Sequence, residues 1–283
     1  MMTLPYRGRI APTPSGDLHL GHGRTFWTAF SRARAAGGTL ILRMEDLDQA
    51  RCRPEYATGA IADLRAIGID WSEGPDVGGP DGPYTQSERG AWYQRVWQLL
   101  QATGTIYPSP HSRRDVAAAL SAPHEPEGPA PDDEEPIFPP RLRPVTGTGV
   151  ECTEPGQVNW RFRVPDGRRI EFVDLCQGAT ARVAGVDFGD FLVWRKDGFP
   201  SYELAVVADD HAMHITEVVR GADLLTSTAR QILLYEALGW PTPAWYHCPL
   251  VLDERGQRLA KRHAALSLRS LLERGEGDKV WQA

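Results

Sequence analysis

Long apolar runs are what this 283-residue chain lacks first. No stretch reaches the length a membrane-crossing helix needs, and the N-terminus has no charged-then-apolar leader, so the expectation is a cytoplasmic protein with no membrane partner. Cysteine is sparse too. Cys52, Cys152, Cys176 and Cys248 are scattered without paired spacing, which excludes a disulfide framework and a cysteine-built metal knuckle. Lysine occurs only as Lys196, Lys261 and Lys279, although lysine and arginine together number 31. In so arginine-biased a chain, a lysine inside a motif stands out. Positive charge is also in deficit. The formal net charge of −6 argues against nonspecific coating of nucleic acid but allows a local basic groove. The pairs Arg113/Arg114, Arg141/Arg143, Arg161/Arg163 and Arg168/Arg169 are either phosphate contacts or ordinary solvated surface.

What is present is an α/β rhythm. The length suits one compound α/β enzyme or two to three subdomains. The opening third alternates strand Tyr6–Ala11, helix His19–Ala36, strand Thr39–Arg43 and helix Pro54–Ile67. That order predicts βαβ units and a parallel sheet with ligands at the carboxyl ends of its strands. A further amphipathic helix is expected over Ser87–Thr103, with Trp92, Val96, Leu99 and Leu100 inward. From Ser121 to Thr153 prolines, glycines and the acids of 132–135 dominate, which predicts a long loop with partial disorder. Strands are then expected at Val158–Val164 and Arg169–Leu175, joined by the Pro165, Asp166, Gly167 turn. Helix Tyr202–Val207, strand Ile215–Val219, helix Leu224–Leu238 and a strand at Pro249–Leu252 follow.

The chemistry concentrates in four places. Residues 9 to 22 read Arg-Ile-Ala-Pro-Thr-Pro-Ser-Gly-Asp-Leu-His-Leu-Gly-His, a strand running through a Pro/Gly loop into a helix. His19 and His22, three apart, share a helix face in the first turn, where unpaired N–H groups and the helix dipole favour a phosphate. Gly21 and Gly23 let a flat ligand lie against the backbone. At the end of the second strand, Arg43, Glu45, Asp46 and Asp48 stand where an α/β sheet places ligands, and Glu45 suits an ammonium group. Arg220 lies in Val-Val-Arg-Gly-Ala-Asp-Leu-Leu, and an arginine fork suits a carboxylate. Residues 253 to 263 form a basic loop around Lys261, whose ammonium suits departing phosphates. His211 and His214 beside Asp209 and Asp210 suggest either a metal site or a structural cluster, and the structural role is preferred.

The first of these runs resembles the HIGH signature of class I aminoacyl-tRNA synthetases, and Arg9 to Gly16 is similar to the glutamyl/glutaminyl branch. The stretch around Lys261 resembles the KMSKS loop, with Arg258 in place of its first lysine and Ala260 in place of its serine; Leu259 and Arg262 complete it. The resemblance implies a Rossmann-like class I catalytic domain (1–106 and 191–240) and an inserted α+β subdomain that grips a tRNA stem (107–190). It also implies a tail subdomain at 241–283 with a short C-terminal helical segment. It implies that His19, His22 and Lys261 are catalytic, and that Pro12, Gly21 and these three bind ATP, a substrate brought with Mg²⁺. Arg9, Ala11, Thr13, Glu45, Tyr202 and Arg220 would bind L-glutamate: Glu45 its α-amino group, and Arg9, Tyr202 and Arg220 its γ-carboxylate. Glutamine would offer those arginines only a neutral amide. Tyr84 to Arg89 also matches a family segment, with no chemistry assigned to it.

Relatives often carry zinc on cysteines that follow a tyrosine in the insert. Here the run is Tyr107-Pro108-Ser109-Pro110-His111, so no structural zinc and no other metal site is expected. The chain ends soon after Lys261, where ordinary glutamyl enzymes continue into domains that read the anticodon. That places the resemblance with the truncated glutamyl-Q tRNA(Asp) synthetases, which activate glutamate without tRNA and transfer it to the queuosine base of tRNA(Asp). No anticodon-binding domain is expected, and the protein is expected to act as a monomer. Two alternatives stay open: an acceptor-end glutamyl-tRNA synthetase without its anticodon domain, and a noncatalytic tRNA-binding regulator.

Overall fold

The structure, a computed structural model, describes residues 5–112, 115–116, 136–145, 154–156, 158–251 and 267–281. Strand β1 (Arg7–Ile10), helix α1 (Leu20–Ala35) and strand β2 (Thr39–Leu42) form the expected βαβ unit, its strands parallel with Arg7 opposite Thr39 and Ile10 opposite Leu42. Helix α1 buries Phe26, Ala29, Phe30 and Ala33, a spacing that lays them on one face. It stops where Gly37 turns the chain at φ +59. Helix α2 (Pro54–Ala66) opens on a proline, whose missing N–H is not needed in a first turn.

The next helix departs from expectation. A 3-10 turn at Gln86–Glu88 precedes α3 (Gly90–Ala102), whose buried stripe is Tyr93, Val96, Trp97 and Leu100. Trp92 is only half-buried and Leu99 is 50% exposed. The helix is rotated because its two inward rings find partners: the Tyr93 hydroxyl donates to Asp209, and Trp97 packs edge-on against Trp160.

Strands β3 (Ile106–Ser109), β4 (Asn159–Phe162) and β7 (Phe191–Trp194) form a small antiparallel sheet in the order β3-β4-β7. Strands β5 (Arg169–Asp174) and β6 (Gly178–Val183) belong elsewhere. They extend the main sheet, whose order is β2-β1-β8-β9-β5-β6, with β8 at Glu217–Gly221 and β9 at Ala244–Cys248. The two strands joined by the Pro165–Gly167 turn therefore enter different sheets, and the 107–190 segment is shared between them. All main-sheet pairings are parallel except β5 with β6.

Helices α4 (Tyr202–Ala212), α5 (Leu225–Leu238) and α6 (Leu268–Glu273) follow, with short 3-10 turns at Pro140–Leu142, Ala222–Leu224 and Gly277–Val280. Helix α4 runs five residues past the expected Val207, and β8 lies two residues beyond the expected strand. The strand expected at Pro249–Leu252 is displaced to β9, since Pro249 has no N–H for the ladder and residues 249–251 are irregular. Leu40 and Leu42 pack with α1 and α2, while Ile41 between them packs with α3, α4 and α5; Val219 and Val218 divide in the same way. Burial on both faces is why these strands read as continuous apolar runs. Among the described residues no helix is long and apolar enough to cross a membrane.

Strand β1 leads outward to β2, whereas β8, its other neighbour, leads to β9 on the opposite side. The β1–β8 seam is thus a topological switch point, and the crevice at its carboxyl end is where such sheets bind ligands.

Candidate active site

A cavity occupies that crevice. The ends of β1 and β2 supply Arg9, Ala11 and Glu45, β8 supplies Arg220, and the start of α4 supplies Tyr202. His19, Gly21 and His22 close it from the start of α1. Eight of the expected residues thus meet in one space. Pro12 and Thr13 do not line it: the Pro12 carbonyl accepts the Glu45 N–H at 3.0 Å, and Thr13 is exposed. Arg258, Leu259, Ala260, Lys261 and Arg262 lie outside the described residues, as does most of 121–153. The last described residue before that basic loop, Val251, is in the cavity wall.

His19 is the residue that caps α1. Its Nδ1 accepts the Gly21 N–H at 3.1 Å, and His22 Nδ1 accepts the His19 N–H at 3.4 Å, so two imidazoles build a capping box. The rings stack with centroids 3.7 Å apart. Because each Nδ1 accepts, a neutral ring carries its proton on Nε2. The His19 and Gly21 N–H groups are therefore already taken within the protein, and beside the expected backbone N–H groups the motif offers imidazole donors. Gly23 also has another purpose: a Cβ there would lie 2.7 Å from Leu268 Cδ2, so its bareness admits α6, not a ligand.

Below Arg9 and Glu45 lies a charge cluster. Arg43, fully buried, donates to Asp210 Oδ1 at 2.6 Å and to Glu45 Oε1 at 2.9 Å. Arg9 donates from Nη1 to the Val219 carbonyl at 3.0 Å and reaches Asp210 Oδ1 at 3.4 Å. Burial pushes the Glu45 carboxyl above its ordinary range, with Arg43 and Arg9 opposing. A bound ammonium would add to that opposition. The neighbouring acid Asp209 takes Arg89 at 2.7 Å, Gln86 and Tyr93 at 2.9 Å each, and the His211 ring stacks on Trp240 at 3.8 Å. Those residues do structural work, while Asp210 supports the cavity.

Arg220 is held quite differently. It sits on β8 directly opposite His247 on β9, and its Nε donates to His247 Nε2 at 3.1 Å. Nη2 donates to Thr228 Oγ1 at 2.7 Å, and Nη1 lies 3.5 Å from the Tyr202 hydroxyl. On its other edge His247 Nδ1 is 2.6 Å from Asp174 Oδ2, at the end of β5. Arginine can only donate, so Nε2 is the acceptor and the imidazole proton sits on Nδ1, facing the carboxylate. Burial and the Arg220 charge push His247 down to about 4, against Asp174, so the ring is neutral at ordinary pH. Burial alone would raise the Asp174 carboxyl, but His247 and the N–H groups of Gln177, Cys176 and His247 outweigh it and hold it low. Neither His247 nor Asp174 stood out in the sequence.

The run from Tyr107 to His111 is built from ordinary packing and hydrogen bonds. Ser109 is buried, no thiol is present in the run from Tyr107 to His111, and the Tyr107 hydroxyl donates to Asp190. Asp190 also accepts from Arg143 at 2.6 Å and from the Val164 N–H at 2.9 Å, tying that corner together.

Comparison with known proteins gives the chain a family. The family model for tRNA synthetases class I (E and Q), catalytic domain, matches residues 6–280. The chain is 51% identical over 263 residues to a glutamyl-Q tRNA(Asp) synthetase of Symbiobacterium thermophilum, covering 92% of this chain and 79% of that one. It is 46% identical to the protein of the same name from Nitratidesulfovibrio vulgaris, covering 95% and 82%. A solved glutamate tRNA ligase from Elizabethkingia meningosepticum, in complex with its amino acid, superposes with TM-score 0.78 at 32% identity, over 92% of this chain and 52% of that one. This chain belongs to the class I tRNA synthetase (E and Q) catalytic-domain family.

Proposed function

We propose that the cavity binds ATP and L-glutamate and joins them as glutamyl-adenylate without tRNA, and that the activated glutamate is then passed to the queuosine base of tRNA(Asp). The observation that carries the first step is one crevice holding two cationic forks, a buried carboxylate and two imidazoles side by side. Arg220, Arg9 and the Tyr202 hydroxyl take the γ-carboxylate, and Glu45 takes the α-ammonium. The free α-carboxylate attacks the α-phosphorus, the bond to the β-phosphate oxygen breaks, and pyrophosphate leaves. Nε2–H of His19 and His22 meet the charge that builds on the α-phosphate oxygens. Lys261 neutralises the departing pyrophosphate, and Mg²⁺ arrives with ATP as part of that substrate.

In the second step a queuosine hydroxyl attacks the activated carbonyl, its proton is lost, and AMP departs. Identity of 46% and 51% with proteins whose names specify this transfer supports that acceptor over the amino-acid end of a tRNA. The protein performs both steps as a monomer. The test is charging with labelled glutamate of tRNA(Asp) that carries or lacks queuosine, and of tRNA(Glu). Label is expected only on queuosine-containing tRNA(Asp), and Lys261→Ala abolishes it. Label on tRNA(Glu) instead would establish an acceptor-end ligase, and no label with any tRNA a regulator.

A further inference from the structure

We infer that His247, oriented by Asp174, is a positioning residue that sets Arg220 for the substrate's side-chain carboxylate and thereby fixes the preference for glutamate over glutamine. The inference rests on the reading of the cavity as a glutamate site. Three adjacent strands each contribute one member: Asp174 from the end of β5, His247 from β9 and Arg220 from β8. All three are buried, with His247 fully so.

What distinguishes this chain of contacts is the kind of acceptor that meets the arginine. Nε, Nη1 and Nη2 of Arg220 go to an imidazole nitrogen, two hydroxyls and, at 3.5 Å, the Leu224 carbonyl. Among the described residues no carboxylate lies within ion-pair distance of it. The nearby acid Glu203 is itself engaged by Gln231 at 2.8 Å and Arg230 at 3.6 Å. An aspartate in place of His247 would orient the guanidinium equally well but would already satisfy its charge. A protonated histidine would repel it. A neutral imidazole with its proton fixed on Nδ1 by Asp174 is the acceptor that aims the fork and leaves its charge for a ligand. A buried cation in that condition favours an anionic side chain over an amide.

Two substitutions separate aiming from packing. Glutamine at 247 places its carbonyl oxygen near the position of Nε2, keeping an acceptor for Arg220. Asparagine keeps a donor toward Asp174 but has nothing that reaches Arg220. In glutamate-dependent ATP–pyrophosphate exchange, His247→Asn should raise the KM for glutamate about 10- to 100-fold and shrink the glutamate-over-glutamine ratio, with the KM for ATP unchanged. His247→Gln should restore most of the loss at equal thermal stability. Equal KM values in the two variants, changed or unchanged, would overturn the proposal. If neither variant folds, the imidazole ¹⁵N spectrum of the wild-type chain decides. Protonated Nδ1 with bare Nε2 at neutral pH is expected, and protonated Nε2 overturns it. A wild-type protein without glutamate-dependent exchange would instead sink the glutamate reading itself, and the relay with it.

Discussion

The cavity's two arginines stand at neighbouring strands and are supported by opposite means. Arg9 rests on Asp210, a carboxylate it shares with the fully buried Arg43, which in turn grips Glu45. Arg220 rests on a neutral imidazole and hydroxyls. The first arrangement is a closed cluster in which each charge already has a counter-charge, so it stabilises geometry and holds Glu45 in place. The second, among the described residues, leaves one buried positive charge without a carboxylate, only the Trp245 ring lying near it at 5.3 Å. On the proposed reading, Arg220 brings the unmatched charge to the substrate's side-chain carboxylate, Arg9 reaches the same group from its already paired position, and Arg43 holds the Glu45 that meets the ammonium.

The sharpest way to break this comparison is to remove the centre of the closed cluster. Arg43→Met strands two buried carboxylates and should cost about 3–5 kcal/mol of folding stability in denaturant titration. A loss confined to activity would show that the cluster is not structural. Arg220→Leu should do the reverse, lowering kcat/KM for glutamate by about 100- to 1000-fold with only a small change in stability.

Acid sharpens the contrast next. His247 has a folded value of about 4 against 6.5 unfolded, so its stabilising contribution is complete above 6.5 and is lost as pH falls toward 4. The expected loss over that window, on the order of 2–3 kcal/mol, should be absent from the His247→Gln variant. Asp174, held low, adds to the acid sensitivity below the ordinary carboxylate range. Glu45 works the other way, because a carboxyl raised by burial favours the folded state as pH falls through its value. Stability curves of wild type and variant measured side by side reveal the difference. Tyr202→Phe, which removes a hydroxyl 3.5 Å from Arg220, should raise the KM for glutamate only about 5-fold, near 1 kcal/mol.

The sequence was informative where chemistry is local. His19 and His22 lie in a contiguous loop-to-helix run, and Arg9, Glu45 and Arg220 sit at strand ends whose apolar patterns mark them. The supports were illegible because they are distant in the chain. His247 and Asp174 are 73 residues apart, and Arg43 and Asp210 167 apart, so no spacing rule joins them. Alternation in β5 reveals a strand but not its sheet, since partners are chosen by packing, and nothing in 169–183 itself marks it as part of the main sheet. At Gly23 a bare backbone looks the same in sequence whether a ligand or a leucine approaches it.

The central claim, that this cavity activates glutamate through its side-chain carboxylate, is tested most directly by ATP–pyrophosphate exchange with the purified chain and no RNA. Exchange is predicted with glutamate and not with glutamine, and it should disappear in Arg220→Leu. Exchange that runs equally well with glutamine, or that survives the loss of Arg220, would contradict it.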